Sequence, residues 1–144
     1  MWKLPLMQKL VIEPTHNTPG IILSPGERIF SIEGMSAPED VRTIYYPVLE
    51  WMKEFNREVQ EGSQKTFTEE DPLILKIDLN YFNSASAKFL FDILLEFKEL
   101  SDAGVPVVTE WHYEEDDTDM MEAGEDIAEM IEIRLKFMPK PPDA

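Results

Sequence analysis

Cysteine is absent from this chain, which excludes disulfide staples and thiolate metal sites. Basic residues are scarce. Thirteen Lys and Arg face 29 Asp and Glu, a formal net charge of −16. Such a surface repels phosphate backbones and anionic membranes, so neither nucleic acid nor a membrane is an expected partner. No apolar run approaches the ~18 residues of a membrane span. The opening MWKLPLMQKLVIEP lacks a continuous apolar stretch and a small-residue cleavage site. No signal peptide is therefore expected, and the cytoplasm is the expected location. The glycine loops G-x-x-x-x-G-K-[ST] and G-x-G-x-x-G are missing too, so no nucleotide cofactor is expected, nor any other.

What remains is a folding sequence. Its 144 residues are 43% hydrophobic and 10% aromatic, the balance of a globular domain rather than a disordered tail. A chain of this length buries roughly two thirds of its unfolded surface. One domain is expected over residues 1–137, with a short Pro-rich tail at 138–144.

In order, Lys9–Glu13, Ile21–Leu23 and Arg28–Glu33 read as three strands separated by Pro- and Gly-rich turns, spaced for an antiparallel ribbon. Ser36 and Glu39 have capping-box spacing ahead of a helical apolar pattern that runs from Val41 to Val59. Pro47 should kink that helix near Tyr46, and Gly62-Ser63 should end it. Gln64–Pro72 reads as a polar loop. Val105–Tyr113 is a further strand. Thr118 or Asp119 caps a helix reaching about Ile131, in which Gly124 implies close packing. Glu132–Phe137 reads as a short closing strand. The order β-β-β-α-β-α-β-α-(β) implies an α/β fold, a mixed sheet with about three helices packed on it.

The most informative stretch is Leu73–Leu100. Leu73, Leu75, Ile77 and Leu79 alternate with Ile74, Lys76 and Asp78 as a strand. The small polar turn Asn83-Ser84-Ala85-Ser86 follows, and then a helix rich in Leu, Ile and Phe. A helix N-terminus offers free N–H groups and the positive end of a dipole, a setting that welcomes a phosphoryl group. One reading is a plain cap, worth about 1 kcal/mol. The other is a phosphorylation switch, which adds about −1.5 to −2 charge at the site.

Two other chemistries compete with this. A Ser84–His112 pair suggests a small hydrolase, but no G-x-S-x-G elbow accompanies it. Glu114–Asp126 suggests an acidic metal-binding module. In the calcium-loop register, however, the required glycine is Met120 and the first ligand is Glu115. A solvated loop and helix face suits those acids better, so no metal site and no catalytic residues are expected.

The segment NYFNSASAKFLFDILLEFKELSDAGVPVVTEWHYEEDD resembles the SiaC family of bacterial biofilm-regulatory phosphoproteins. So do IEPTHNTPGIIL, FSIEGMSAPEDV, YYPVLEWMKEF and DDTDMMEAGEDIAEMI, so that the likeness covers about Lys9 to Phe137. The resemblance implies a STAS-like domain, as in anti-sigma factor antagonists, and a protein that is not an enzyme. The family pattern reads Asn-Thr-Ser-Ser where this chain reads Asn83-Ser84-Ala85-Ser86. It thus implies phosphorylation at Ser84, with Ser86 as the alternative. It also implies a partner-switch: a Ser/Thr protein kinase, an opposing PP2C-type phosphatase, and a diguanylate cyclase or other signalling target bound by the unphosphorylated form. Tyr81, Phe82, Asn83, Ser84, Ala85, Lys88 and Phe89 are the expected docking residues.

Overall fold

The computed structural model describes residues 7–62 and 66–142. Ser63, Gln64 and Lys65, at the end of the expected first helix and in the loop after it, lie outside the described residues.

Three strands open the chain: β1 (Leu10–Ile12), β2 (Gly20–Ser24) and β3 (Ile29–Ser36). They pair antiparallel, with Val11 opposite Ile22 and Ile22 opposite Ser31, as the spacing predicts. Three strand–helix units follow: α1 (Val41–Glu61) with β4 (Leu73–Phe82), α2 (Ser84–Asp102) with β5 (Val107–Glu114), and α3 (Thr118–Ile131) with β6 (Leu135–Lys140). The pairs β3–β4, β4–β5 and β5–β6 are parallel, and the sheet order is β1-β2-β3-β4-β5-β6. Every crossover steps one strand in the same direction. Right-handed crossovers of that kind put all the helices on one face. Burial follows. Leu73, Leu75, Ile77 and Leu79 are buried beneath the helices, whereas Ile74 on the other face is 44% exposed. That open face mixes exposed Val11, Ile29 and Ile74 with the ion pairs Lys76–Glu33 and Lys140–Asp78 and a His112–Glu110 hydrogen bond.

The core lies between sheet and helices. Phe30 anchors it, its ring 5.5 Å from Phe55 and 6.4 Å from Phe97. Trp111 plugs the far side, where its indole donates to the Met120 carbonyl at 3.0 Å. Gly124 of α3 passes directly over that ring, so close that a Cβ there would lie 2.7 Å from Trp111 Nε1. The close packing expected at this glycine is present.

Several local expectations need correction. Ser36 does not cap α1. It is the last residue of β3, and Asp40 accepts the Arg42 N–H instead. A short polar side chain at the actual strand-to-helix junction won over the Ser36/Glu39 spacing. Asp117, rather than Thr118 or Asp119, caps α3 by accepting the Met120 N–H at 3.0 Å. Pro47 is exposed and α1 runs on past it to Glu61, as the expected kinked helix also would. β6 runs to Lys140, so Met138, Pro139 and Lys140, expected in the tail, belong to the sheet.

One irregularity shapes the C-terminal ends of β3 and β4. Gly34 pairs with Leu79 but Met35 pairs with Tyr81, so β4 spends an extra residue, Asn80, against β3. Gly34 sits at φ +104°, a conformation that costs glycine little and other residues much. The extra residue reverses the alternation of β4. Phe82 therefore turns toward the helices, edge-on to Trp111 at 6.1 Å between ring centres, and Tyr81 is left half exposed.

Candidate functional site

The C-terminal ends of β3 and β4 meet the first turns of α1 and α2, and the predicted switch turn lies there. Asn83 is the N-cap of α2. Its backbone is extended, and its side-chain oxygen accepts the Ser86 N–H at 2.8 Å. The Ala87 N–H reaches the Asn83 carbonyl at 3.0 Å, closing the first turn. The Asn83 N–H goes to the Ser36 carbonyl at 3.0 Å, so with the Ser86 N–H two of the four orphan donors of the helix start are used. Among the described residues, the N–H groups of Ser84 and Ala85 have no protein partner.

Ser84 is the first residue of α2 and is exposed. Among the described residues its hydroxyl makes no hydrogen bond, so it is no cap: Asn83 already does that work. Ser86, two positions on, is its opposite. It is fully buried, and its hydroxyl donates to the Ser36 carbonyl at 3.0 Å and lies 2.8 Å from Ser36 Oγ. The hydroxyl of Ser86, the expected alternative acceptor, has no access to solvent in this fold. The sequence shows two serines in one small turn; helix phase sends one outward and one inward.

The other expected docking residues divide in the same way. Tyr81, Ala85 and Lys88 are exposed. Lys88 lies over the Phe89 ring at 5.1 Å and 3.6 Å from Asp92. Phe82 and Phe89 support from beneath: Phe89 is 6% exposed and stacks on Tyr45 at 5.5 Å. Helical periodicity puts Ile44 and Tyr45 on the apolar stripe of α1 and leaves Tyr46 off it. In the fold Tyr46 is 53% exposed, its ring 5.7 Å from Phe89. It therefore joins the same surface from the neighbouring helix. Burial pushes the Tyr45 phenol up from its ordinary pKa, and hydrogen bonds with Ser36 and Ser86 offset this only in part.

The rival chemistries find little support in the geometry. His112 is engaged by Glu110 of its own strand at 2.9 Å, on the open sheet face, and no hydrogen bond joins it to Ser84 among the described residues. Among those residues, no three acids or histidines gather closely enough to hold a metal ion, the acidic run included. No helix of the described residues is long and apolar enough to cross a membrane.

Residues 12–140 match the family described as SiaC family regulatory phosphoprotein. A protein of Pseudomonas aeruginosa strain UCBPP-PA14 is 30% identical over 123 residues, covering 85% of this chain and 90% of its own. The crystal structure of apo-SiaC from P. aeruginosa superposes with a TM-score of 0.73 at 29% identity, covering 93% of this chain and 99% of that one. A chain in the crystal structure of the diguanylate cyclase SiaD in complex with its activator SiaC, also from P. aeruginosa, gives a TM-score of 0.77. Its identity is 27%, over 91% of this chain and 99% of that one. The family is regulatory rather than catalytic, since the solved SiaC is the activator of an enzyme. With the match spanning nearly all of its length, this chain belongs to the SiaC family of regulatory phosphoproteins.

Proposed function

We propose that this chain is a cytoplasmic partner-switch, read out at Ser84. In its unmodified form it binds and activates a target, a diguanylate cyclase that raises cyclic di-GMP and promotes biofilm or aggregation. A Ser/Thr protein kinase turns it off. The γ-phosphoryl group of ATP passes to Ser84 Oγ, the hydroxyl proton is lost, and ADP leaves. A PP2C-type phosphatase hydrolyses the ester to inorganic phosphate and restores the hydroxyl.

The observation that carries this reading is the state of Ser84 itself, an exposed hydroxyl with no structural task, at a helix start where a second residue already caps. The solved pairing of SiaC with SiaD supports the choice of target. Around Ser84 lie exposed Tyr81, Ala85, Lys88 and Tyr46, a surface mixing aromatic and polar groups as binding sites do. A phosphoryl group there finds two free N–H groups and one near lysine, so the fold accepts it. A partner packed against the turn does not accept it, because the dianion is bulky and must be desolvated.

The test is calorimetry against the diguanylate cyclase of the source organism. Ser84→Ala should bind as the unmodified protein does. Ser84→Glu should bind at least about tenfold more weakly while its melting temperature stays near that of the parent. Equal affinities for the two variants would overturn the reading.

A further inference from the structure

Beneath the Ser84 turn lie three linked hydroxyls, none exposed to solvent: Ser36 of β3, Tyr45 of α1 and Ser86 of α2. Their geometry fixes who donates to whom. Ser86 has one hydroxyl hydrogen, and it goes to the Ser36 carbonyl at 3.0 Å. Ser36 has one, and it goes to Ser86 Oγ at 2.8 Å. The 2.6 Å contact between Ser36 Oγ and the Tyr45 phenol must then be donated by tyrosine. The Ser36 carbonyl also accepts the Asn83 N–H at 3.0 Å. Ser36 therefore grips the turn on both sides of Ser84, at Asn83 and at Ser86, and Tyr45 grips Ser36.

Among the described residues the Ser84 hydroxyl has no hydrogen bond to set its direction. We propose that Tyr45 is a positioning residue for Ser84: through Ser36 and Ser86 it fixes the first turn of α2, and so the direction in which Ser84 Oγ is offered for phosphorylation. This rests on the reading of Ser84 as the acceptor. The phenol is poorly explained by packing alone. A phenylalanine would keep the stack on Phe89 and spare the burial of a polar atom. What the hydroxyl adds is direction, since a fully satisfied buried network specifies one arrangement among several that apolar packing would tolerate.

The test compares Tyr45→Phe with Ile131→Val, a buried substitution in α3 expected to cost similar stability. Two quantities are read in each. The first is amide hydrogen exchange at Ser86, Ala87 and Lys88. The second is the initial rate of Ser84 labelling by an extract of the source cells supplied with labelled ATP. Loss of one buried hydrogen bond should make Tyr45→Phe exchange about fivefold faster at those amides, with a similar fall in labelling rate. Ile131→Val should change neither. Adding Tyr45→Phe to Ser36→Ala should change nothing further, because Tyr45 acts through Ser36. Equal effects of the two single substitutions, no effect of Tyr45→Phe, or additive losses in the double variant would overturn the proposal. Label that never reaches Ser84 in the parent protein would remove the switch reading instead. The exchange data alone would then decide whether Tyr45 holds the turn.

Discussion

Tyr45 and Tyr46 are neighbours in sequence and opposites in fate, one fully buried and the other 53% exposed. The buried one makes a pH prediction. Its folded pKa is raised by burial, so below its ordinary tyrosine pKa the group is neutral in both states and costs nothing. As pH rises above about 10 the unfolded chain ionises first, and stability falls until the folded pKa is passed. Tyr45→Phe should therefore be less steeply destabilised than the parent in urea titrations run above about pH 10. Identical alkaline slopes would show that the phenol is not held as described. At this scale the sequence was informative where chemistry is local and mute where it is not. Asn83, Ser84 and the helix that follows are legible because a cap, a small turn and an apolar run are adjacent. The link from Ser36 to Tyr45 and Ser86 is not legible. It joins residues 9 and 50 positions apart, and the apolar pattern of α1 reads Tyr45 as one more core ring. A tyrosine inside such a pattern does carry one signal: its hydroxyl needs a partner somewhere.

Among the elements, α3 is the one whose packing the sequence announces most directly. A glycine in mid-helix gives up roughly 1 kcal/mol of helix propensity relative to alanine. Here the return is contact, because a Cβ at Gly124 would meet Trp111 at 2.7 Å and Phe137 at 2.9 Å. Gly124→Ala should therefore lower stability by about 1–3 kcal/mol despite its better propensity. Thermal melting checks this, and a raised midpoint would refute it. Element types and order followed from periodicity in the longer strands and helices, and from the Pro- and Gly-rich turns that bound them at the short β1 and β2. The ends followed less well. β4 ran three residues past the expected Leu79, because the extra residue opposite Gly34 broke the alternation that had marked the strand. The caps of α1 and α3 are both aspartates, Asp40 and Asp117, each within a cluster of possible capping residues. Sequence alone ranks such neighbours poorly.

For the whole molecule, a net charge of −16 opposes compaction, and the ion pairs on the open sheet face offset only part of it. Added salt screens the long-range repulsion more than it weakens close pairs. The melting temperature should thus rise between about 10 mM and 200 mM sodium chloride. A fall would mean that the pairs, not the repulsion, dominate. The class of fold was legible at this scale, since strands followed by strand–helix alternation admit few layouts. The one-sided helix layer was not, because nothing in a β-α-β repeat says whether successive strands add to one edge or both. Strictly linear growth also leaves two outer strands. β1 is only three residues long. On β6 the Lys140 carbonyl turns inward to the Glu115 N–H at 2.8 Å, so the preceding residue, Pro139, turns its backbone outward, where it has no donor to offer. Both rims of the sheet are thereby poor templates for a further strand. Edge-to-edge pairing of one copy with another is thereby disfavoured, and crowding in the cell should not drive the protein into fibrils.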